Sequence, residues 1–221
     1  MGEPESLIPK HGGYRKLKSF QLGQLIYDVT VRFAALYIER GSRTRDQMVQ
    51  AARSGVQNIA EGSQASGTSK KMELKLTNVA RASLEELRLD YEDFLRQRGF
   101  SLWAPQHPAL LRFKAKRCTT LEQVRQWVQE ERRLTPTHTD QHGPRKNTKP
   151  SVPPSVLQSM PVRVSPRPAS AELVANGALS LLNLCCHLLD RQLAAQAAAF
   201  EREGGFTERL HRVRSQRRNR G

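Results

Sequence analysis

Cysteine is scarce in this chain of 221 residues, aromatic residues are few, and no long apolar run occurs in it. The three cysteines, Cys118, Cys185 and Cys186, are too few and too unevenly placed for a disulfide framework, which points to a reducing, cytoplasmic setting. Hydrophobic residues make up 38% and aromatic residues 6%, below the usual apolar share of about 45–50%. One dense core cannot take in the whole chain, so part of it is expected to be disordered. No stretch reaches the roughly 18 consecutive apolar residues that signal a membrane-spanning helix, so no membrane association is expected. The start, MGEPESLIPKHGG, lacks the apolar segment of a secretory signal. It formally fits the myristoylation pattern MGxxxS, but Glu3, Pro4 and Glu5 are unhelpful neighbours for it. The chain also lacks GxxxxGK[ST], GxGxxG, HExxH and GxSxG, so no catalytic residues are assigned and no cofactor is expected. Cys185-Cys186-His187 is no metal motif, because adjacent helical side chains point about 100° apart.

What is present in excess is positive charge. Thirty-six Lys and Arg face twenty-one Asp and Glu, a net charge of +15. Residues 134–169 hold eight of the twelve prolines and carry Arg145, Lys146, Lys149, Arg163 and Arg167 against Asp140. Proline removes backbone donors and breaks helices, so this stretch reads as an extended, disordered linker. Residues 204–221 carry Arg209, Arg212, Arg214, Arg217, Arg218 and Arg220 against Glu208 alone, a net +5. Such a tail suits a polyanion; the plainer alternative is a solubilising tail.

Between these features the apolar periodicity is helical. A first helix is predicted over residues 16–40, apolar on two faces: Leu22, Leu25, Ile26, Val29 and Phe33 on one, Phe20, Tyr27, Val31 and Ile38 on another. A helix buried on more than one face belongs in a bundle and can also meet a second chain. Thr44 with Gln47 reads as a capping box opening a second helix that runs to about Glu61. Thr68 or Ser69 caps a third over residues 70–98. On it, Lys70, Arg81 and Arg88 fall within about 20° of one line, a basic row. Residues 99–133 read as an insertion, with residues 107–133 outside the bundle but Trp103, Leu110, Leu111 and Phe113 able to pad its end, and with its last helix opened by a Thr120–Gln123 capping box. Beyond the linker, Ser170 is expected to cap a long apolar helix that ends at Gly204-Gly205; Phe206, Leu210 and Val213 then space a short amphipathic turn, with arginines opposite. The domains are thus residues 14–98, 99–133, 134–169 and 170–221. The acidic Glu61 and Glu86, on helix faces otherwise small or apolar, read most simply as members of a buried hydrogen bond or ion pair.

Residues 45–62, RDQMVQAARSGVQNIAEG, and residues 79–87, VARASLEEL, carry a resemblance. They are similar to a bacterial four-helix bundle family that includes proteins encoded in intervening sequences of large-subunit rRNA genes and the accessory variability determinant of diversity-generating retroelements. Asn58, Glu61 and Gly62 match its NIAEG-like stretch, and Arg81, Ser83 and Glu86 its ARGSxxEL-like stretch, with Ala82 where the family has Gly. Residues 175–218 resemble a suffix region attached to a subset of that family. The resemblance covers residues 16–98 and the suffix, not the middle of the chain.

The resemblance implies an all-α, up-down four-helix bundle, a ring-like homopentamer and a non-enzymatic role in binding nucleic acid, RNA or DNA, sometimes beside a reverse transcriptase. With three helices before the linker, the suffix helix is expected to supply the fourth. On this reading the basic row Lys70, Arg81 and Arg88, and the tail Arg209, Arg212, Arg214, Arg217, Arg218 and Arg220, contact phosphates. The alternative is a protein-interaction module, for example a partner of a reverse transcriptase, with nucleic-acid contact incidental.

Overall fold

The computed structural model describes residues 6–134 and 169–218; Arg220, the first five residues and the proline-rich stretch lie outside them. The protein is all-α. After a 3-10 turn, Tyr14–Lys16, come α1 (Lys18–Tyr37), α2 (Arg43–Ala65), α3 (Lys70–Gln97), α4 (Pro108–Lys116), α5 (Leu121–Leu134), α6 (Ser170–Glu203) and α7 (Phe206–Arg218).

The longest helices, α1, α2, α3 and α6, carry most of the packing: α1 lies against α2, α2 against α3, α3 against α6, and α6 back against α1. α6 runs opposite to α1 and α3. Near its C-terminal end, Gln192 accepts from Ser19 at the start of α1 (3.0 Å), and Gln196 donates to Glu73 at the start of α3 (3.1 Å). Near its N-terminal end, Glu172 accepts from the backbone of Ser101, just beyond α3 (3.0 Å). Ile26, Phe33, Met48, Ile59, Leu84, Leu87, Leu173, Leu182 and Leu189 fill the interior. Burying an aliphatic side chain of this size is worth about 1.5–3 kcal/mol. Phe33 is the aromatic hub, 4.8 Å from Tyr91 and 4.7 Å from Phe94, centroid to centroid. The buried Tyr91 hydroxyl donates to Thr30 Oγ1 (3.1 Å), which donates to the Ile26 carbonyl (2.7 Å), so this polar pair in the core is satisfied. Burial pushes the Tyr91 phenol well above its ordinary value, partly offset by Thr30.

Several boundaries depart from the sequence expectation for physical reasons. α1 ends at Tyr37 because Ile38 turns extended (φ −112°, ψ 136°). Ser42, not Thr44, is the N-cap residue of α2. α2 does not stop near Glu61 but continues through Gly62 to Ala65. Gly62 is buried where a Cβ would come within 3.3 Å of the Glu73 carbonyl oxygen, so glycine here permits close approach of α3 instead of ending the helix. Ser69 caps α3, accepting from the Met72 N–H (3.1 Å). At α5 the box forms: Gln123 N–H donates to Thr120 Oγ1 and Thr120 N–H donates back to Gln123 Oε1, both at 3.3 Å. Ser170 is not a cap but the first residue of α6, after Ala169.

Residues 107–133 are not outside the core. Trp127 is fully buried, its ring 4.5 Å from Phe113, and both belong to the same apolar cluster as the long helices. Gly177 on α6 makes the room: a Cβ there would meet the Trp127 ring at 3.0 Å. The buried Asn176 accepts from Trp103 N–H (2.9 Å) and donates to the Ser101 carbonyl (3.0 Å), tying the preceding loop to α6. The α6–α7 stretch has no 18 consecutive apolar residues, yet one window of it is apolar enough on average to cross a bilayer by length and composition alone; 61% of that window is buried inside the fold.

Replacing Gly177 with Val should overpack this contact and cost about 1–3 kcal/mol. The checks are a lower urea midpoint and a red-shifted tryptophan emission, with the far-ultraviolet helix signal retained. An unchanged midpoint would mean that the insertion is not seated on α6 through Trp127.

Candidate nucleic-acid interface

α3, capped by Ser69, places Lys70, Arg81 and Arg88 along one edge, so the row exists. Each cation is matched by a carboxylate. Lys70 Nζ lies 3.6 Å from Glu73. Arg81 donates through Nε to Asp190 on α6 (2.9 Å) and lies 3.4 Å from Glu85. Arg88 pairs with Glu85 and, at 3.2 Å, with Glu92. The hydrogen bond to Asp190 is the main reason that the Arg81 guanidinium is held above its ordinary value, and the bond to Glu85 is the main reason for Arg88. The row is therefore paired with carboxylates, Arg81 across the α3–α6 seam and Lys70 and Arg88 within α3 itself. Helical spacing displayed the cations, but Asp190 comes from a helix more than a hundred residues away.

The tail differs. Gly204 adopts φ 71°, which glycine tolerates, and lets α7 start directly after α6. Glu208 accepts from the Gly205 N–H (2.8 Å), closing the first turn. Val213 is buried and Leu210 half-buried, while Phe206 stays 36% exposed, so the apolar strip seats the helix only in part. Arg209 and Arg212 are half-buried, and Arg212 donates to the Glu203 carbonyl (2.9 Å). Arg214, Arg217 and Arg218 are exposed and have no carboxylate partner among the described residues. The Glu203 carboxyl is held below its ordinary value, chiefly by its hydrogen bond from Arg202, with Lys70 and Arg209 adding positive potential. α7 therefore begins at the end of the fold where α3 begins.

The residues carrying the family resemblance lie on α2 and α3. Asn58 donates to its own helix at the Ser54 carbonyl (2.8 Å). Glu61 and Glu86 are exposed, not buried in a polar pair as the sequence reading had it. Ser83 and Glu86 line an open groove of about 660 Å³ between α2 and α3 together with Asp46, Gln50, Ser54 and Asp90. Burial, then the charges of Glu86 and Asp93, raise the Asp90 carboxyl. Sequence periodicity missed this acidic groove because its two walls belong to different helices.

Cys185 points into the core, its thiol 3.4 Å from the Ser19 carbonyl, and burial pushes it up to about 12, whereas His187 is exposed. Among the described residues no group of three or more His, Cys, Asp or Glu is placed to hold a metal ion. No protein-family model matches the chain, and neither curated proteins nor solved structures give a significant match.

The double variant Arg81→Ala with Arg88→Ala should lower stability modestly, by no more than about 1 kcal/mol per pair, since these groups are partly exposed. It should leave the salt dependence of nucleic-acid binding unchanged. Asp190→Ala should show coupling with Arg81→Ala in a double-mutant cycle; strictly additive losses would mean that the seam pair contributes nothing.

Proposed function

We propose that this chain is a non-enzymatic, cytoplasmic accessory protein, an up-down four-helix bundle of the kind its α2 and α3 motifs resemble, which self-associates and binds nucleic-acid phosphates through α7. The observation that carries this reading is the exposed Arg214, Arg217 and Arg218, cations without a carboxylate partner among the described residues. Guanidinium groups present a planar fork of donors that fits phosphate, and an unpaired one has no ion pair to break before it binds. Their recognition is of backbone charge and not of sequence, so affinity falls steeply with salt. Self-association is supported by α1, where Val31 and Leu36 remain 40% and 52% exposed beside an otherwise buried apolar stripe.

Removing residues 214–221 deletes four arginines and should flatten the slope of log K against log salt by about 3. A truncated protein that binds RNA and DNA with the wild-type slope would reduce the tail to a solubiliser and move a protein-partner role ahead.

For self-association, light scattering at micromolar concentration should report an oligomer. Val31→Glu with Leu36→Glu should reduce the molar mass without loss of helicity. A monomeric wild type removes the oligomer from this reading.

A further inference from the structure

One end of the molecule collects positive charge from segments far apart in sequence. Residues 6–27 contain four cations, Lys10, Arg15, Lys16 and Lys18, and no carboxylate. The 3-10 turn packs on α1 and α2, held by the Gly12 N–H donating to the Ser63 carbonyl (3.1 Å) and by Tyr14 edge-on to Phe20 at 4.8 Å. Gln21 donates to the Arg15 carbonyl (3.0 Å), fixing the turn over the start of α1. That start is where α6 arrives (Ser19 to Gln192), and α6 also arrives beside the start of α3 (Gln196 to Glu73). The N-terminal turn, Lys71 and α7 therefore share one end of the fold.

The cations there are unspent. Arg15, Lys16, Lys18 and Lys71 are exposed, and none makes an ion pair among the described residues. Arg15 meets only the Tyr14 hydroxyl and ring, and Lys18 only Gln21. Among the described residues the carboxylates at the same end are mostly taken: Glu73 by Lys70 and Gln196, Glu203 by Arg202, Glu208 by Gly205 N–H, leaving Glu61 and Glu201 exposed. α1 also begins here with no side-chain cap and no acidic residue in its first turn, so its dipole adds to the positive field. The opposite end is different: there Arg40, Arg43 and Arg45 stand among Glu39, Asp46, Asp90 and Asp93.

We infer that the phosphate-binding surface is this whole end of the bundle, with Arg15, Lys16, Lys18 and Lys71 acting beside the α7 arginines, and that it takes the backbone of a nucleic-acid double helix. The inference rests on the α7 reading above and extends it. A duplex fits better than a splayed single strand because the ring in the N-terminal turn, Tyr14, is already covered by Phe20 and Arg15 and offers no stacking platform. Cations from separated segments on one end match phosphates spread over two strands, whereas a lone helix of 13 residues reaches only about 20 Å.

The test uses the full chain and a labelled 25-base-pair duplex, as DNA and as RNA, titrated at several salt concentrations. The variant Arg15→Ala, Lys16→Ala, Lys18→Ala and Lys71→Ala should flatten the slope of log K against log salt by about 3. Arg214→Ala with Arg217→Ala and Arg218→Ala should flatten it by about 2–3. The control Arg40→Ala, Arg43→Ala and Arg45→Ala, at the opposite end, should leave it unchanged. If the first variant loses helicity, Lys16→Gln with Lys18→Gln replaces it, sparing the Arg15–Tyr14 contact, with an expected flattening of about 2. A wild-type slope in the N-terminal variant beside a flattened one in the α7 variant overturns this inference and leaves the α7 reading standing. Wild-type slopes in both overturn both. A control that flattens as much as the N-terminal variant shows binding governed by total charge, and tighter binding to a 25-nucleotide single strand than to the duplex shows the wrong ligand; either result overturns the inference.

Discussion

The fold depends on one long-range contact, the seating of α6 against α1 and α3. α6 is the longest helix and supplies many buried side chains, and α1–α3 leave an apolar trough that their own polar faces cannot close. Leu173, Leu182, Cys185 and Leu189 fill it and are almost fully buried. Closing a loop over the intervening residues costs entropy only logarithmically with length, so a long connection is a small penalty beside several buried aliphatic side chains. Once α6 is seated, Gly177 receives Trp127, Asn176 anchors the loop after α3, and α7 starts at a defined end.

The same contact sorts the charges. On α3 alone, Arg81 meets only Glu85, while Arg88 already has Glu85 and Glu92. Seating α6 brings Asp190 to Arg81, while Glu85 and Glu92 serve the seam from α3 itself. A cation already paired must give up one anion to take another, so its own carboxylates reduce the attraction of the row for a polyanion. The cations that retain attraction are those no helix has answered, in the N-terminal turn and on α7. On a protein with a net charge of +15, the distribution of partnered and unpartnered cations, not their number, sets where phosphate is drawn.

Glycine shows how the same residue carries different meanings. Gly41, Gly99 and Gly204 have positive φ, at turns or helix ends, and Gly204 is the one that the sequence marks as a helix end. Gly62 and Gly177 sit inside helices, and each is there because another element comes too close for a Cβ. Within the sequence Gly62 reads as a stop just as a turn glycine does, which is why α2 is longer than its periodicity indicates, whereas Gly177 leaves the expected α6 unbroken.

The sequence by itself determined the helical character, the Ser69 and Thr120–Gln123 caps, most of the buried stripe and the concentration of arginine in α7, because each depends on neighbours within a turn or two of helix. Only the tertiary structure decided that residues 107–133 join the core, that Glu61 and Glu86 face solvent, that Arg81 meets Asp190, and that Arg15, Lys16 and Lys18 lie at the same end as α7. These outcomes turn on which helix edges meet. Periodicity states that a face is apolar or charged but not what faces it, and burial and Coulomb energy are properties of the pair.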